Sequence, residues 1–550
     1  MENNKEVHLN DAQLKSVMVQ PNREIVIIGR GGGKTQGIQA PFVAANAIAM
    51  PRSTQRLASY TYEGLLTNIL PGIISGWEEM NNWREGVHFF VGQWAPKSWD
   101  WHRPYFKTQG DAKHIVHIYN GSVIQLASMD RSINNGASID SFSLDEARLV
   151  RRKKVAEMIP AMRGNLTKFG HLSNYQSMLM TSDMPQLPSE KWLLDYEDQN
   201  SQALIDGILD IQQYMCDSEL VQRYQKANGT YKKQLELEIN YWHKELNRLR
   251  MDCTMFMEAS TLENLEALGR KAILNMKETL SDQEFAVAVL NQRRDKVLNG
   301  FYAARDPEVH SYDGRINYDL FDGVDDVHRN GYSKDSRMDS DYFDNEPLHL
   351  AFDHNAAINS AVIGQPRGKK EMHVLNTMYV KQPKYLTDLI NNMTEYYRHA
   401  KNKTAIYYYD ATSIKEDSRG NPSESTTVIS LLSRAGWKVR GRYLGRTARH
   451  DEKYRVWQSV LSENHPAGAL FKYNRVNCMN MEKSMLNADV RMSGDEYRKD
   501  KRSEQKDYTK GEYKVPPEEA THISEAADTL LIGWLDDTVG SSIFSAPVTA

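Results

Sequence analysis

The stretch Glu24-Ile-Val-Ile-Ile-Gly-Arg-Gly-Gly-Gly-Lys-Thr-Gln-Gly37 constrains this chain more than any other. An apolar run, Ile25 to Ile28, breaks into three consecutive glycines, then Lys34 and Thr35, then a segment that can turn helical. That order specifies a buried strand, a glycine-rich loop and a helix start. Glycines let the backbone wrap closely round an anion and aim its N–H groups inward, and the helix N-terminus adds partial positive charge. The fit to G-x-x-x-x-G-K-[ST] is incomplete, because Ile28 stands where the first glycine belongs and Gly29 comes one place late. In such a loop the backbone of Gly29, Arg30, Gly31, Gly32 and Gly33 cradles the phosphates. Lys34 reaches the β- and γ-phosphates and Thr35 holds Mg²⁺. The plain alternative is a glycine-rich turn without a ligand.

At 550 residues the chain exceeds what one core supports, and about two or three domains are expected. Apolar residues make up 40% and charged residues 25%, the balance of a soluble globular protein. No apolar run is long enough to span a membrane, and Met1-Glu-Asn-Asn-Lys-Glu6 lacks the apolar core of a signal peptide. Cys216, Cys253 and Cys478 are far apart and read as free thiols. A net charge of −4 announces no nucleic acid, so any such contact depends on local basic patches.

Along the chain, Gln13 lies before the loop at a distance that suits an adenine-reading glutamine, or is a plain surface residue. Gln39 to Ala49 reads as the helix after the loop, Arg56 to Tyr62 as a strand and Leu65 to Met80 as a helix. Ile115 to Leu126 is a hairpin turning at Asn120-Gly121. Asp145-Glu146 closes a short strand and supplies the second half of an ATPase site. One carboxylate sits in the metal's outer shell while the other orients and deprotonates the attacking water. Ser141 and Ser143 make that strand less apolar than a buried parallel strand prefers. Ser177 to Met180 forms another strand, tipped by Thr181-Ser182-Asp183, polar residues placed to sense the γ-phosphate or to cap the strand. Residues 201–250 carry two charged helical patterns flanking Asn228-Gly229, a helical hairpin. Residues 306–346, rich in Asp and Gly, read as a linker between a first domain at 1–305 and a second at 347–550.

The second domain begins a new pattern. Leu348 to Asp353 is a strand ending in an acid, and two further strands, Ser360 to Gly364 and His373 to Val380, follow as a meander. A helix opened by Pro383 comes next, and then Ala405 to Asp410, again a strand ending in an acid. Strand, strand, strand, helix, strand, with carboxylates at the first and fourth tips, is the frame of the ribonuclease-H-like nucleases. Clustered acids there hold two divalent cations, one activating water and one stabilising the leaving oxygen. The remaining acid comes from the helix His522-Ile-Ser-Glu-Ala-Ala-Asp528, where Glu525 and Asp528 share a face. Arg440, Arg442 and Arg446, and Lys499, Lys501, Arg502 and Lys506, suit contacts to a phosphate backbone.

With both centres in hand, the chain resembles the large terminase subunit of tailed bacteriophages, the motor that packages DNA into a capsid. The resemblance rests on Gly29 to Thr35, on Asn134-Asn-Gly136 with Leu144-Asp-Glu-Ala147, on Thr181-Ser182, on Phe352-Asp353, on Tyr409-Asp410 and on His522 to Ala526. It implies an α/β architecture: an N-terminal P-loop (ASCE-type) ATPase with a parallel sheet, then a C-terminal ribonuclease-H-like mixed-sheet nuclease. It implies ATP and Mg²⁺ as cofactors, with Mg²⁺ or Mn²⁺ at the nuclease, translocation of double-stranded DNA into the procapsid, and cutting of a concatemer. A portal protein and a small terminase subunit are the implied partners. The implied assembly is a pentamer on the portal, in the host cytoplasm and absent from the mature virion, with an isolated monomer plausible. Carried onto this sequence, Lys34 and Thr35 bind phosphate and Mg²⁺, Asp145 supports the metal, and Glu146 is the hydrolytic base. Asp353, Asp410 and either Glu525 or Asp528 are the nuclease ligands. The family often places Arg-Gly before the second ATPase strand; here Asn135-Gly136 stands there, leaving Arg131 or Arg148 as the trans-acting arginine. Two rivals remain: an ATP-dependent translocase or helicase that does not cut, and a non-catalytic adaptor at a capsid vertex.

Overall fold

The computed structural model describes residues 7–106, 111–129, 138–280, 282–293, 300–314, 316–317, 334–414, 422–493, 496–507, 512–513 and 515–539. It divides into two compact units. The first comprises residues Met1–Glu278, Phe285–Arg294 and Phe321–Tyr332, and the second Thr279–Glu284, Asp295–Leu320 and Ser333–Ala550.

In the first unit eight strands form one sheet: β1 (Arg23–Ile28), β2 (Thr54–Ser59), β3 (Phe89–Val91), β4 (Ile115–Ile118), β5 (Val123–Ser128), β6 (Ser141–Leu144), β7 (Ser177–Ser182) and β8 (Thr254–Ala259). Their order is β3-β4-β5-β2-β6-β7-β1-β8. The six strands from β5 to β8 run parallel, and the β4–β5 hairpin and β3 add an antiparallel edge. The parallel α/β sheet expected of this half is present, with β7 inserted between the strand of the glycine loop and the strand of the acidic pair. Ile25 to Ile28 are all within 1% of full burial because β1 lies inside the sheet with both faces covered. Each such side chain contributes roughly 1.5–3 kcal/mol. β6 forms in spite of its serines. All four of its residues are buried, and the hydroxyls of Ser141 and Ser143 find no hydrogen-bond partner. Packing between β2 and β7 overrides their low strand preference.

The segment 201–250 departs from a two-helix hairpin. It forms three helices, Gln202–Met215, Ser218–Lys226 and Gly229–Asp252, and the first arm breaks where the Asp217 carboxylate accepts from Glu219 N–H at 2.7 Å. An acceptor at that place starts a new helix more readily than it continues the old one. Thr254–Ala259, left unassigned by sequence, is an edge strand paired with β1.

In the second unit β9 (Ser311–Tyr312), β10 (Leu348–His354), β11 (Ile358–Arg367), β12 (Glu371–Lys381), β13 (Thr404–Tyr409), β14 (Lys438–Tyr443) and β15 (Leu470–Asn474) form a mixed sheet of order β14-β13-β10-β11-β12-β15-β9. β10, β11 and β12 are the antiparallel meander, and β13 lies parallel to β10 on its other side. Alternation along β10 sends Leu348, Leu350 and Phe352 into a core with the helices Leu386–Tyr396 and Glu424–Arg434. Ala351 instead joins Tyr408 in a core with the helices His450–Leu461, Met479–Leu486 and His522–Val539. The strand, strand, strand, helix, strand order thus holds.

The linker expected over 306–346 is, where described, part of this second unit. Phe301 and Tyr302, read as the end of the first domain, lie in the second core. Among the described residues, Asp335 and Asp339 of this stretch are paired rather than solvated. Asp335 binds Arg337 at 2.8 Å and Arg398 at 2.9 Å, and Asp339 accepts from the Tyr396 hydroxyl at 2.5 Å. Acidic composition alone does not separate a solvated linker from a network of buried carboxylates.

Glu24 opens β1 with only 2% of its surface exposed, and its Oε1 has no partner. Burial pushes its carboxyl up to about 7, against a smaller downward pull from the Ser16 hydrogen bond. The folded state therefore keeps a proton that the unfolded chain releases near pH 4.5, and stability falls as pH rises from there to about 7. Replacing Glu24 with Gln removes that loss. Urea unfolding should show Glu24→Gln close to wild type at pH 5 and more stable by about 1–3 kcal/mol at pH 8; equal curves at pH 8 would show that the charge is tolerated.

Candidate nucleotide site and a second acidic centre

The loop after β1 is held from outside. The carbonyl of Gly29 accepts from Gly32 N–H at 3.0 Å, that of Arg30 from the Thr261 hydroxyl at 2.9 Å, and that of Gly31 from Asn264 Nδ2 at 2.7 Å. Asn10 Nδ2 donates to Gly32 O at 3.3 Å and Gln13 Nε2 to Gly33 O at 3.1 Å. Carbonyl and following N–H point in opposite directions across a trans peptide, so carbonyls tied outward turn the amides of Gly31, Gly33 and Lys34 into the loop. Gly31 and Gly33 adopt φ of 81° and 78°, where L side chains are strained. At Gly29 a Cβ would lie 2.4 Å from Thr261 Oγ1 and 2.7 Å from Val289 O, so only glycine lets the loop sit against this backing.

Gln13 completes the capping box of the helix Asp11–Val19 by accepting from Asn10 N–H at 3.0 Å. Both ends of its amide are thus engaged, one in the cap and one on the loop. It lines a cleft of about 540 Å³ with His8, Gly33, Gly37, Glu79 and Asn264.

At the strand tips beside the loop the polar residues converge. Asp145 Oδ1 accepts from the Thr181 hydroxyl at 2.6 Å and from Glu146 N–H at 2.9 Å, and Gln39 Nε2 donates to Thr181 Oγ1 at 2.8 Å. Glu146 turns sharply out of β6 with φ of 52°. Burial, then the neighbouring Asp183 and Asp145, push its carboxyl up to about 7. Burial also raises Asp145, although Thr181 and Lys34 oppose it. Lys34 Nζ donates to Ile28 O at 2.7 Å and to Asp183 Oδ1 at 2.5 Å, and Arg30 Nε reaches Asp183 Oδ2 at 3.3 Å. Burial works against the Asp183 carboxylate, but Lys34, with Arg148 and Arg30, outweighs it and holds the group below its ordinary range. Thr35 begins the helical turn that leads into the helix Ala40–Ala49. A buried carboxylate and a threonine at a helix start are oxygen donors of the kind Mg²⁺ takes; Asp145 Oδ1 here accepts from Thr181 and Glu146 N–H.

Arg148 is not available to a second copy. It is 6% exposed, donates from Nη1 to Glu190 Oε1 at 3.0 Å and stands 3.7 Å from Glu146 Oε2. It is a partner of the acidic pair within its own chain, and the expectation that it acts in trans is corrected. Arg131 and the segment Asn134 to Gly136 lie outside the described residues.

In the second unit β10 and β13 run parallel in the register Ala351 to Tyr408. That pairing ends at Ala351 and Tyr408; Asp353 and Asp410 each stand two residues further along their chains, and Asp353 meets the helix His522–Val539. Asp353 Oδ2 lies 3.1 Å from His522 Nδ1, and Asp410 Oδ1 accepts from Thr412 N–H at 2.9 Å. Burial lowers the His522 imidazole, but the bond to Asp353 raises it above its usual value.

The third acid of the expected set points elsewhere. Asp528 is fully buried and accepts from Trp457 Nε1 at 2.7 Å, the Tyr302 hydroxyl at 2.7 Å and Lys499 Nζ at 2.6 Å. Glu525 pairs with Lys453 at 2.5 Å and Lys499 at 2.9 Å. Burial alone would raise Glu525, but Lys453, Lys499 and Lys501 drive it well below the ordinary carboxylate range. Among the described residues no group of three or more His, Cys, Asp or Glu side chains is gathered closely enough to hold a metal. Neither Glu525 nor Asp528 joins Asp353 and Asp410, because both carboxylates are neutralised by lysines. Of the basic residues read as phosphate contacts, Lys499 is wholly buried in this network, Arg442 pairs with Asp537 and Arg446 with Glu452. The side chain of Lys506 lies outside the described residues.

Neither a protein-family profile nor a curated protein matches this sequence. Solved structures similar to it include the large terminase from the thermophilic bacteriophage D6E in complex with ATP-gamma-S, at 12% identity over 96% of this chain and 99% of that one, TM-score 0.36. The large terminase of bacteriophage HK97 is similar at 11% identity over 96% of each chain, TM-score 0.27. The ATPase domain of the Thermus phage P74-26 large terminase is similar at 14% identity over 52% of this chain and 94% of that one, TM-score 0.29.

Sequence reading missed the residues that hold the loop from behind, Asn10, Thr261 and Asn264, since single Asn and Thr residues carry no pattern. It also gave Asp183 no role toward Lys34.

The Glu525–Asp528 network separates structural from metal-binding acids. Removing the Asp528 charge leaves Lys499, which is 0% exposed, with Glu525 as its remaining carboxylate, and breaking such a buried pair costs about 3–5 kcal/mol. Asp353, with its side chain 26% exposed, should cost less than about 1 kcal/mol as Asn. Urea unfolding of Asp528→Asn and Asp353→Asn checks this; an undiminished Asp528→Asn protein would return that residue to the metal-ligand set.

Proposed function

We propose that this chain is an ATP-driven motor subunit that moves double-stranded DNA, of the kind found in large terminases, with a C-terminal domain that handles and cuts the same polymer. The observation that carries the reading is the joint geometry at the tips of β1, β6 and β7: a phosphate loop with inward amides, and Lys34, Asp145 and Glu146 gathered beside it. In this reading the loop amides and Lys34 bind the polyphosphate of ATP, and Thr35 and Asp145 hold Mg²⁺, which offsets the charge on the phosphates. Glu146, pushed up by burial and by its acidic neighbours, takes the proton of the attacking water. Arg148, fixed by Glu190, keeps a positive charge near Glu146.

DNA cutting belongs to Asp353, Asp410 and His522 in this proposal. Glu525 and Asp528 have no part in it, and no step is assigned to a second cation, since the ligands for one are not gathered. A translocase without cutting is the second reading, favoured by that missing third acid. A portal ring and a small terminase subunit remain the proposed partners, at the portal vertex of a procapsid. Among the described residues no helix is long and apolar enough to cross a membrane.

ATP turnover by the purified chain should fall about 10²–10⁴-fold in Glu146→Gln while labelled ATP still binds, and Lys34→Ala should lose binding itself. A wild-type chain that neither binds nor splits ATP would favour the non-catalytic adaptor. Mn²⁺-dependent nicking of plasmid should be present in wild type and lost in Asp353→Asn and Asp410→Asn. Absence of nicking in wild type, with ATP turnover intact, would establish the translocase reading.

A further inference from the structure

Two cations of the glycine loop converge on one carboxylate. Lys34 Nζ is 2.5 Å from Asp183 Oδ1, Arg30 Nε is 3.3 Å from Asp183 Oδ2, and Asp183 keeps 10% of its side chain exposed. Lys34, 11% exposed, has one other partner in the structure, the carbonyl of Ile28 at 2.7 Å. An acceptor carrying a full negative charge, gripped by the loop lysine and the loop arginine together, has the recognition chemistry of a phosphate oxygen. Asp183 is brought there by β7, which lies between β1 and β6, so the carboxylate faces the loop from the strand tip next to Asp145 and Glu146.

We propose that Asp183 is a positioning residue that engages the loop's phosphate-binding cations when no nucleotide is bound and yields Lys34 to the nucleotide on binding. The inference rests on the reading of this loop as a nucleotide site and gives Asp183 a specific role toward Lys34. A lysine ammonium already engaged by a carboxylate must be released before it meets the β- and γ-phosphates, so the binding-competent form is a minority of the free protein. Apparent affinity is reduced by the fraction that is competent. The same exchange in reverse assists product release, because Asp183 recaptures Lys34 as the nucleotide departs. The opposite role, in which Asp183 only holds Lys34 extended toward the phosphates, predicts the opposite sign when the charge is removed.

The experiment is titration of the full chain with a fluorescent ADP analogue in the absence of Mg²⁺, comparing wild type, Asp183→Asn, Asp183→Glu and Lys34→Ala. Asp183→Asn should bind about tenfold more tightly, with correspondingly slower dissociation, if the ion pair holds about nine molecules in ten in the occluded form. Asp183→Glu, which keeps the charge, should stay near wild type. Unchanged or weaker binding by a folded Asp183→Asn protein overturns the proposal. Failure of wild type to bind, or of Lys34→Ala to weaken binding, overturns the nucleotide reading beneath it and is told apart by those two controls. Should Asp183→Asn not fold, hydrogen exchange of wild type decides. ADP should slow exchange over residues 29–36 and speed it over 183–187; slowing over both overturns the proposal.

Discussion

Everything at the candidate nucleotide site depends on where the loop's carbonyls go. A glycine-rich turn has as many acceptors as donors, and left to itself offers an anion as much repulsion as attraction. Here the carbonyls from Gly29 to Gly33 are each drawn away, by Gly32, Thr261, Asn264, Asn10 and Gln13. The amides of Gly31, Gly33 and Lys34 turn the opposite way because a planar trans peptide sets N–H against C=O, while Arg30 N–H donates to Ala288 O and Gly32 N–H to Gly29 O. The incomplete sequence motif costs nothing in this arrangement, since the clamp that orients the loop lies in residues 10–13 and 261–264.

The two acidic centres of the chain show how the same residue types come to different ends. Beside the loop, Asp145, Glu146 and Asp183 share a pocket with Lys34, Arg30 and Arg148, and one of these carboxylates is raised to about 7. The lysine there is held by Asp183 and by the carbonyl of Ile28, and in the proposed exchange it gives up the carboxylate for a phosphate. In the second unit Glu525 and Asp528 are bound by Lys453 and Lys499, with Trp457 and Tyr302 closing the remaining sides. That network is buried, and opening it would leave charges without water, so it specifies packing instead of exchange.

Much of this was readable from the residues. The apolar run before the glycines, the Asn120-Gly121 hairpin, the acid-tipped strands at Asp353 and Asp410 and the helix after Pro383 each carry a local signature, a period or a turn dipeptide, and each is present. Asp353 and Asp410 each stand two residues beyond the Ala351–Tyr408 pair of β10 and β13. The Asp-rich stretch before Leu348 and the helix acids Glu525 and Asp528 were legible as residue types only, because their partners, Arg398, Tyr396, Lys453 and Lys499, are distant in sequence.

The sequence by itself determined an α/β architecture, the strand, strand, strand, helix, strand run of the second unit, and a glycine loop followed by a lysine and a threonine, because hydrophobic period and backbone freedom are local properties. Only the tertiary structure decided which charges meet. It gave Lys34 to Asp183, shut Arg148 inside its own chain beside Glu190, and turned Glu525 and Asp528 to lysines instead of to Asp353. Coulombic pairing acts between side chains that chain topology brings within a few ångströms, and no spacing along the sequence encodes that.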